Sequence, residues 1–185
     1  MFIQTEATPN PATLKFLPGQ VVMPTGTCDF RSSDDATESQ LATSLFAIDG
    51  VEGVFFGADF VTITKPDNHE WQHLQPAILG ALMEHFMSGA PVMNENHQMS
   101  EGDGNFDEAD AEIVKTIKEL LDTRVRPAVA QDGGDITFNG FKDGIVFLHM
   151  KGACAGCPSS TATLKHGIEN LLRHFVPEVQ EVRPV

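Results

Sequence analysis

The run KGACAGCPSST, residues 151–161, holds Cys154 and Cys157 in a C-x-x-C spacing, two of the chain's three cysteines. Its small residues Gly152, Ala153, Ala155 and Gly156 predict an open loop in which backbone, solvent and a bulky ligand approach both thiols. Pro158 suits the first position of a helix, which predicts Cys157 at a helix N-terminus. There, unpaired N–H groups and the helix dipole favour a thiolate. Outward from this loop, residues 136–139 and 144–150 read as a hairpin turning at Lys142-Asp143. Residues 158–175 read as a helix with Leu164, Ile168, Leu171 and Phe175 on its buried face, and residues 179–182 as a short last strand. Upstream, Ile113, Ile117, Leu120, Leu121 and Ala128 share one helical face, and Pro127 should kink or end that helix. Asp132-Gly133-Gly134-Asp135 closes it with a glycine suited to a left-handed cap. The order α-β-β-(Cys loop)-α-β defines a unit over residues 108–185.

A second unit precedes it, over residues 1–87. Residues 2–7 and 13–17 alternate like strands, and Pro18-Gly19 ends the second. Residues 36–48 read as a helix on Leu41, Leu45 and Ile48, stopped by Asp49-Gly50. Residues 51–64 read as a hairpin through Gly57-Ala58-Asp59, and 68–87 as a helix with Trp71, Leu74, Ile78, Leu82 and Phe86 on one stripe. Residues 88–107 show no period and are rich in Gly, Asn, Ser, Glu and Asp, as a flexible linker is. The predicted fold class is α+β: two small α/β domains joined by a flexible linker.

Bulk composition agrees with a globular protein: 185 residues, 41% hydrophobic, with 13 phenylalanines for the cores. No apolar run approaches the roughly 20 residues of a membrane helix, and the opening MFIQTEATPNP does not read as a signal peptide. The expectation is a soluble intracellular protein: cytoplasmic in a bacterium, or in the mitochondrial matrix if a presequence has been removed. Net charge is −14, concentrated in residues 1–107, where 15 acids face only Lys15, Arg31 and Lys65. Such an excess argues against nucleic acid or an anionic membrane as partner.

Three cysteines without a secretion signal do not make a disulfide framework. The C-x-x-C pair admits three readings: two reduced cysteines tucked under a helix, a thioredoxin-like dithiol, or half of a metal site. The Gly-rich, helix-terminal loop argues against the first. The short unit, and a proline after the pair rather than within it, argue against the second. A closed thiolate site needs four ligands. His166 lies nine residues beyond Cys157 on the same predicted helix, roughly 13 Å at 1.5 Å per residue. His149 supplies at most a third ligand, and Cys28 sits alone in the other unit. The economical completion is a second copy of the chain, related by a two-fold axis, whose pair makes a Cys₄ set.

His69-Glu70-Trp71-Gln72-His73 matches the zinc-protease pattern H-E-x-x-H. Both histidines fall opposite the apolar stripe, in the first turn of the predicted helix, and position 79, where a third ligand would stand, is Leu79. They are read as solvent-facing. His85 falls on the apolar side and is read as a satisfied core or interface histidine.

These residues together resemble the NifU-like (Nfu) iron–sulfur cluster carriers. The second unit is similar to that family's C-terminal module through RPAVAQDGGDI, GFKDGIVFL and GACAGCPSSTATLK. The first resembles its N-terminal domain through FIQTEATPNPATLKFLPG and LFAIDGVEGVFFGADFVTITK. The resemblance implies that Cys154 and Cys157 bind a [4Fe–4S] cluster bridged between two protomers of a homodimer. A [2Fe–2S] cluster also fits four cysteines, so the nuclearity rests on the resemblance. It further implies a non-enzymatic carrier that takes clusters from an upstream assembly scaffold and delivers them to apo-proteins, with the first unit as an accessory domain. A thiol–disulfide oxidoreductase is the alternative, and a structural zinc dimer a third reading.

Overall fold

The computed structural model describes residues 1–95, 104–155 and 158–185, with the backbone alone for residues 158–161. The chain divides into two compact units, Met1–Met99 and Ser100–Val185. Among the described residues no helix is long and apolar enough to cross a membrane.

The first unit is an antiparallel five-stranded sheet covered by two helices. Its strands are β1 (Gln4–Ala7), β2 (Thr13–Leu17), β3 (Cys28–Phe30), β4 (Gly53–Phe56) and β5 (Val61–Thr64), in spatial order β1-β2-β5-β4-β3. Strand β3 was not expected from the sequence: it is three residues long and sits at an edge, too short to show a period. The predicted helix over residues 36–48 is divided into a 3₁₀ turn at Asp35–Glu38 and α1 (Gln40–Phe46). Ser39 causes the division, because its extended backbone breaks one element while its hydroxyl accepts the Ala42 N–H and caps the next. Helix α2 (Trp71–Ser88) buries Leu74, Ile78, Leu82 and His85, and Gly89 ends it in the left-handed conformation. Phe16, Phe56, Leu41, Leu45, Ile63, Ile78 and Leu82 are fully enclosed between sheet and helices.

The second unit follows the order read from the sequence. It comprises α3 (Ala111–Leu120), a π-helical turn (Leu121–Val125), α4 (Arg126–Gln131), β6 (Gly134–Lys142), β7 (Ile145–Gly152), α5 (Pro158–Phe175) and β8 (Glu181–Pro184). Strands β6 and β7 pair antiparallel across the Asp143-Gly144 turn, where φ is 53° and 79°, the positive values that a two-residue hairpin turn requires. Strand β8 returns parallel to β7, as expected when a helix makes the crossover.

Two buried faces differ from the sequence pattern. Pro127 lacks the N–H that would bond to Thr123, and the helix widens into the π turn just before it. That turn takes up one extra residue, so the inward stripe continues Leu121, Val125, Val129, and the expected Ala128 is exposed. On α5 the stripe runs through Ile168 and Leu172, and Val176, just past the helix end, continues it. Phe175, expected inside, is 46% exposed with the Arg124 guanidinium 5.0 Å from its ring centre.

Part of the segment read as linker, residues 96–103, lies outside the described residues. Its end is attached to the second unit. Asn105 donates its N–H to the Asn139 carbonyl and accepts the Phe141 N–H, at a bulge in β6, and Phe106 packs edge-on to Phe138.

Candidate functional site

Strand β7 ends at Gly152, whose φ of 66° turns the chain out of the sheet. The next residue, Ala153, donates its N–H to the carbonyl of Gly133, so the cysteine loop is tied to the Asp132–Asp135 turn across the sheet. Gly133 itself has φ of 82°. Beside it, Gly134 faces the site: a β-carbon built there would stand 2.6 Å from the Cys154 Sγ and 2.8 Å from the Lys151 carbonyl oxygen. A real contact of that kind is not tolerated, so the absence of a side chain at position 134 makes the room in which the thiol lies.

Asp135 anchors the turn from behind. It is 3% exposed, and its carboxylate receives Nε–H of Arg126 at 2.9 Å and a second guanidinium N–H at 3.0 Å, the two-pronged geometry in which arginine binds carboxylates most firmly. Its Oδ1 also accepts the Ile136 N–H at 2.8 Å. Arg126 spans further, to Asp122 one turn earlier at 3.0 Å. A continuous set of contacts therefore runs from α4 through Asp135 and Gly134 to Cys154. Sequence reading gave the Asp132–Asp135 turn only a capping glycine and assigned no role to Arg126 or Asp135. The signal was present as an aspartate directly after two glycines with an arginine nine residues upstream, but nothing local marks that aspartate as buried.

Cys154 is 6% exposed and belongs to the hydrophobic core cluster with Ile136 and Met150. The expectation that the small residues leave the thiols open is corrected here at Cys154. The small residues instead let the loop fold down so that its first thiol packs against Gly134. Cys157 lies outside the described residues. His149 is paired in register with Thr137 on β7, on the sheet face opposite the buried Val146, Leu148 and Met150, and so is turned away from the core in which Cys154 sits. His166 is exposed on α5. Among the described residues no three His, Cys, Asp or Glu side chains converge as metal ligands.

The H-E-x-x-H match is not a site. Helix α2 begins at Trp71, so His69 and Glu70 precede it and the two histidines do not share a helical face. His69 is only partly exposed, correcting the solvent-facing reading. Its ring occupies the space that a β-carbon at Gly50 would need, and its Nε2 is 3.6 Å from Asp49. His85 is buried as expected but not satisfied: among the described residues its Nε2 has no hydrogen-bond partner. Burial pushes its imidazole below the ordinary value, against an opposing hydrogen bond to the Ala90 backbone.

Comparison with known proteins places these features in a family. The family model described as scaffold protein Nfu/NifU N terminal matches residues 3–89, and that described as NifU-like domain matches residues 117–183. The human protein named NFU1 iron-sulfur cluster scaffold homolog, mitochondrial, is 50% identical over 186 residues, covering 100% of this chain and 72% of its own length. The chain belongs to the Nfu/NifU scaffold family. NifU-like protein 4, mitochondrial, of Arabidopsis thaliana is 52% identical over 184 residues, covering 98% of this chain and 65% of its own length. The NFU1 homolog, mitochondrial, of Drosophila sechellia is 50% identical over 186 residues and is covered to 65%. The chain thus spans about two thirds of the length of these relatives. Among solved structures, a NifU-like protein of Saccharomyces cerevisiae superposes with a TM-score of 0.47 at 28% identity, over 51% of this chain and 86% of that one. Nfu/NifU proteins are scaffolds rather than enzymes, and the α+β, two-domain reading holds for this member.

Proposed function

We propose that this Nfu/NifU chain is an iron–sulfur cluster carrier. Cys154 and Cys157 of two copies together hold one [4Fe–4S] cluster as cargo and release it to apo-proteins. An upstream assembly scaffold supplies the cluster, and the two protomers form a homodimer around it. The observation that supports this most directly is the half-site itself. The family's C-x-x-C motif supplies two thiols per chain, and the fold ties its first cysteine to the Gly133-Gly134 turn. A thiolate cluster needs four such ligands. The buried position of Cys154 adds a step: the loop must lift its thiol off Gly134 before iron can reach it.

The first unit, residues 1–87, acts in this reading as an accessory domain that recognises partners, and the segment 88–107 joins it to the cluster domain at 108–185. Relatives named mitochondrial favour the mitochondrial matrix over a bacterial cytoplasm. Fractionation of the tagged full-length protein tests that placement.

Anaerobic reconstitution with iron and sulfide tests the cargo. The expected result is about four irons per dimer together with the broad visible absorption of an iron–sulfur cluster. Retention of the cluster by a Cys154→Ser, Cys157→Ser double variant would falsify the assignment. Two irons per dimer would replace the [4Fe–4S] assignment with [2Fe–2S], and zinc in anaerobically purified protein would replace it with a structural metal. Turnover of insulin disulfides by the metal-free protein would instead support the thiol–disulfide oxidoreductase.

A further inference from the structure

We infer that the first unit carries a docking groove for a basic, amphipathic segment of a partner protein, an inference that rests on reading that unit as the partner-recognising domain. The groove has a volume of about 500 Å³ and lies between the segment after β2 and the segment after α2. Val21, Met23, Pro24, Phe86, Val92 and Met93 line it, and among the described residues no charged one does. Val21 is 64% exposed at its edge, and Met87, just outside, is 73% exposed. Methionine at such a surface adapts to differently shaped apolar partners.

The walls are preformed. Val22 and Met23 both donate their N–H groups to the Ala58 carbonyl, at 2.8 and 3.2 Å. On the other side the Ser39 hydroxyl donates to the Val92 carbonyl, and the Asn94 N–H donates to the Glu38 carbonyl at 2.9 Å. These bonds fix two irregular segments against the sheet and α1, so a ligand does not have to order them.

Acidic residues adjoin these bonds along the chain. Glu38 is bonded to one wall, Asp59 follows the Ala58 that anchors the other, and Glu95 follows Asn94. Three acidic residues are thus joined through the backbone to the segments that form the walls. The unit as a whole carries 12 acids against 3 bases over residues 1–99. All three cations are engaged within it. Lys15 lies over the Phe60 ring and 3.8 Å from Glu6, Arg31 binds Asp29 at 3.1 Å, and Lys65 lies over Trp71. A segment with two or three large apolar side chains flanked by Lys or Arg matches both the floor and the field. An acidic segment, nucleic acid or an anionic lipid surface is repelled.

The test uses the full chain, ¹⁵N-labelled, titrated with three synthetic peptides. One has Leu and Phe interspersed among Lys and Arg, one replaces the bases with Glu, and one replaces Leu and Phe with Ser. The first peptide is expected to shift the amides of residues 20–25 and 89–94, with affinity falling as salt rises. Val21→Lys should weaken it by about tenfold or more, because it adds a like charge and removes an apolar contact. Equal binding of the acidic peptide, or shifts confined to other surfaces, overturns the proposal. So does loss of a peptide-free dimer on Val21→Lys, which would make the groove a contact between copies. Cluster loading is measured on the same samples. If wild-type protein docks the peptide but takes up no cluster, the carrier reading fails and the groove stands. The reverse result leaves the carrier and removes the groove.

Discussion

A single methyl group at position 134 distinguishes an accommodated thiol from a collision. Gly134→Ala would put a carbon 2.6 Å from the Cys154 Sγ, with backbone on the other side at 2.8 Å. Overpacking of this kind costs roughly 1–3 kcal/mol. The variant should therefore lose stability in urea and, after reconstitution, hold less cluster per dimer. Unchanged stability and iron content would show that the thiol does not rest there. Arg126→Gln removes both prongs from Asp135, whose side chain is 4% exposed, while Arg126 is about a quarter exposed. A buried carboxylate that loses its guanidinium partner should destabilise the second unit by roughly 2–3 kcal/mol, at the lower edge of values for broken buried pairs because solvent reaches the arginine side. Urea denaturation followed by the fluorine signal of labelled phenylalanines in that unit measures it.

At the scale of elements, two parts of the first unit respond differently to perturbation. Ser39 caps α1 and tethers Val92, and it is fully buried. Ser39→Ala should cost about 1–2 kcal/mol, more than an exposed cap, because the Val92 carbonyl also loses its donor. Helix α2 carries a pH dependence through His85. Its imidazole is held below the ordinary 6.5, so the folded protein keeps it neutral while the unfolded chain takes up a proton. Above about pH 6.5 neither state is protonated and His85 adds no slope. As pH falls below that, the unfolded state binds the proton first and stability declines until the lower folded value is passed. The melting temperature of the first unit should therefore fall between pH 7.5 and 5.5, and His85→Leu should flatten that fall. An unchanged slope in the variant would assign the effect to other groups.

On the scale of the whole molecule, the proposed carrier requires a second copy of the chain, because one cysteine pair offers two of the four thiolates that a cluster takes. Gel filtration of apo and reconstituted protein should show a shift to the dimer that tracks iron content and disappears in the Cys154→Ser, Cys157→Ser variant. A dimer of constant proportion in all three samples would separate association from cargo. The excess of acids lies in the first unit, residues 1–99, and the cysteine pair lies in the second.

Much of this was legible in the residues. Periodicity placed β2 over its full length and gave the α-β-β-α-β order of the second unit, because apolar stripes of period 3.6 and 2 distinguish helices from strands. The C-x-x-C spacing, with glycines before it and proline after it, marked the site, because those residue types act locally. What local pattern does not contain is the depth at which a side chain finally lies. Ala128 and Val129 exchanged places because one proline widened one turn. Leu172 took the position expected of Phe175, while Leu171 stays half-buried against the core. The thiol of Cys154, expected at the surface, is packed against a glycine twenty residues earlier in the chain. The sequence by itself determined the family, the order of elements and the two cysteines. Only the tertiary structure decided that Gly134, Asp135 and Arg126 form the seat of Cys154, because contacts across strands and helices depend on packing that no local spacing records.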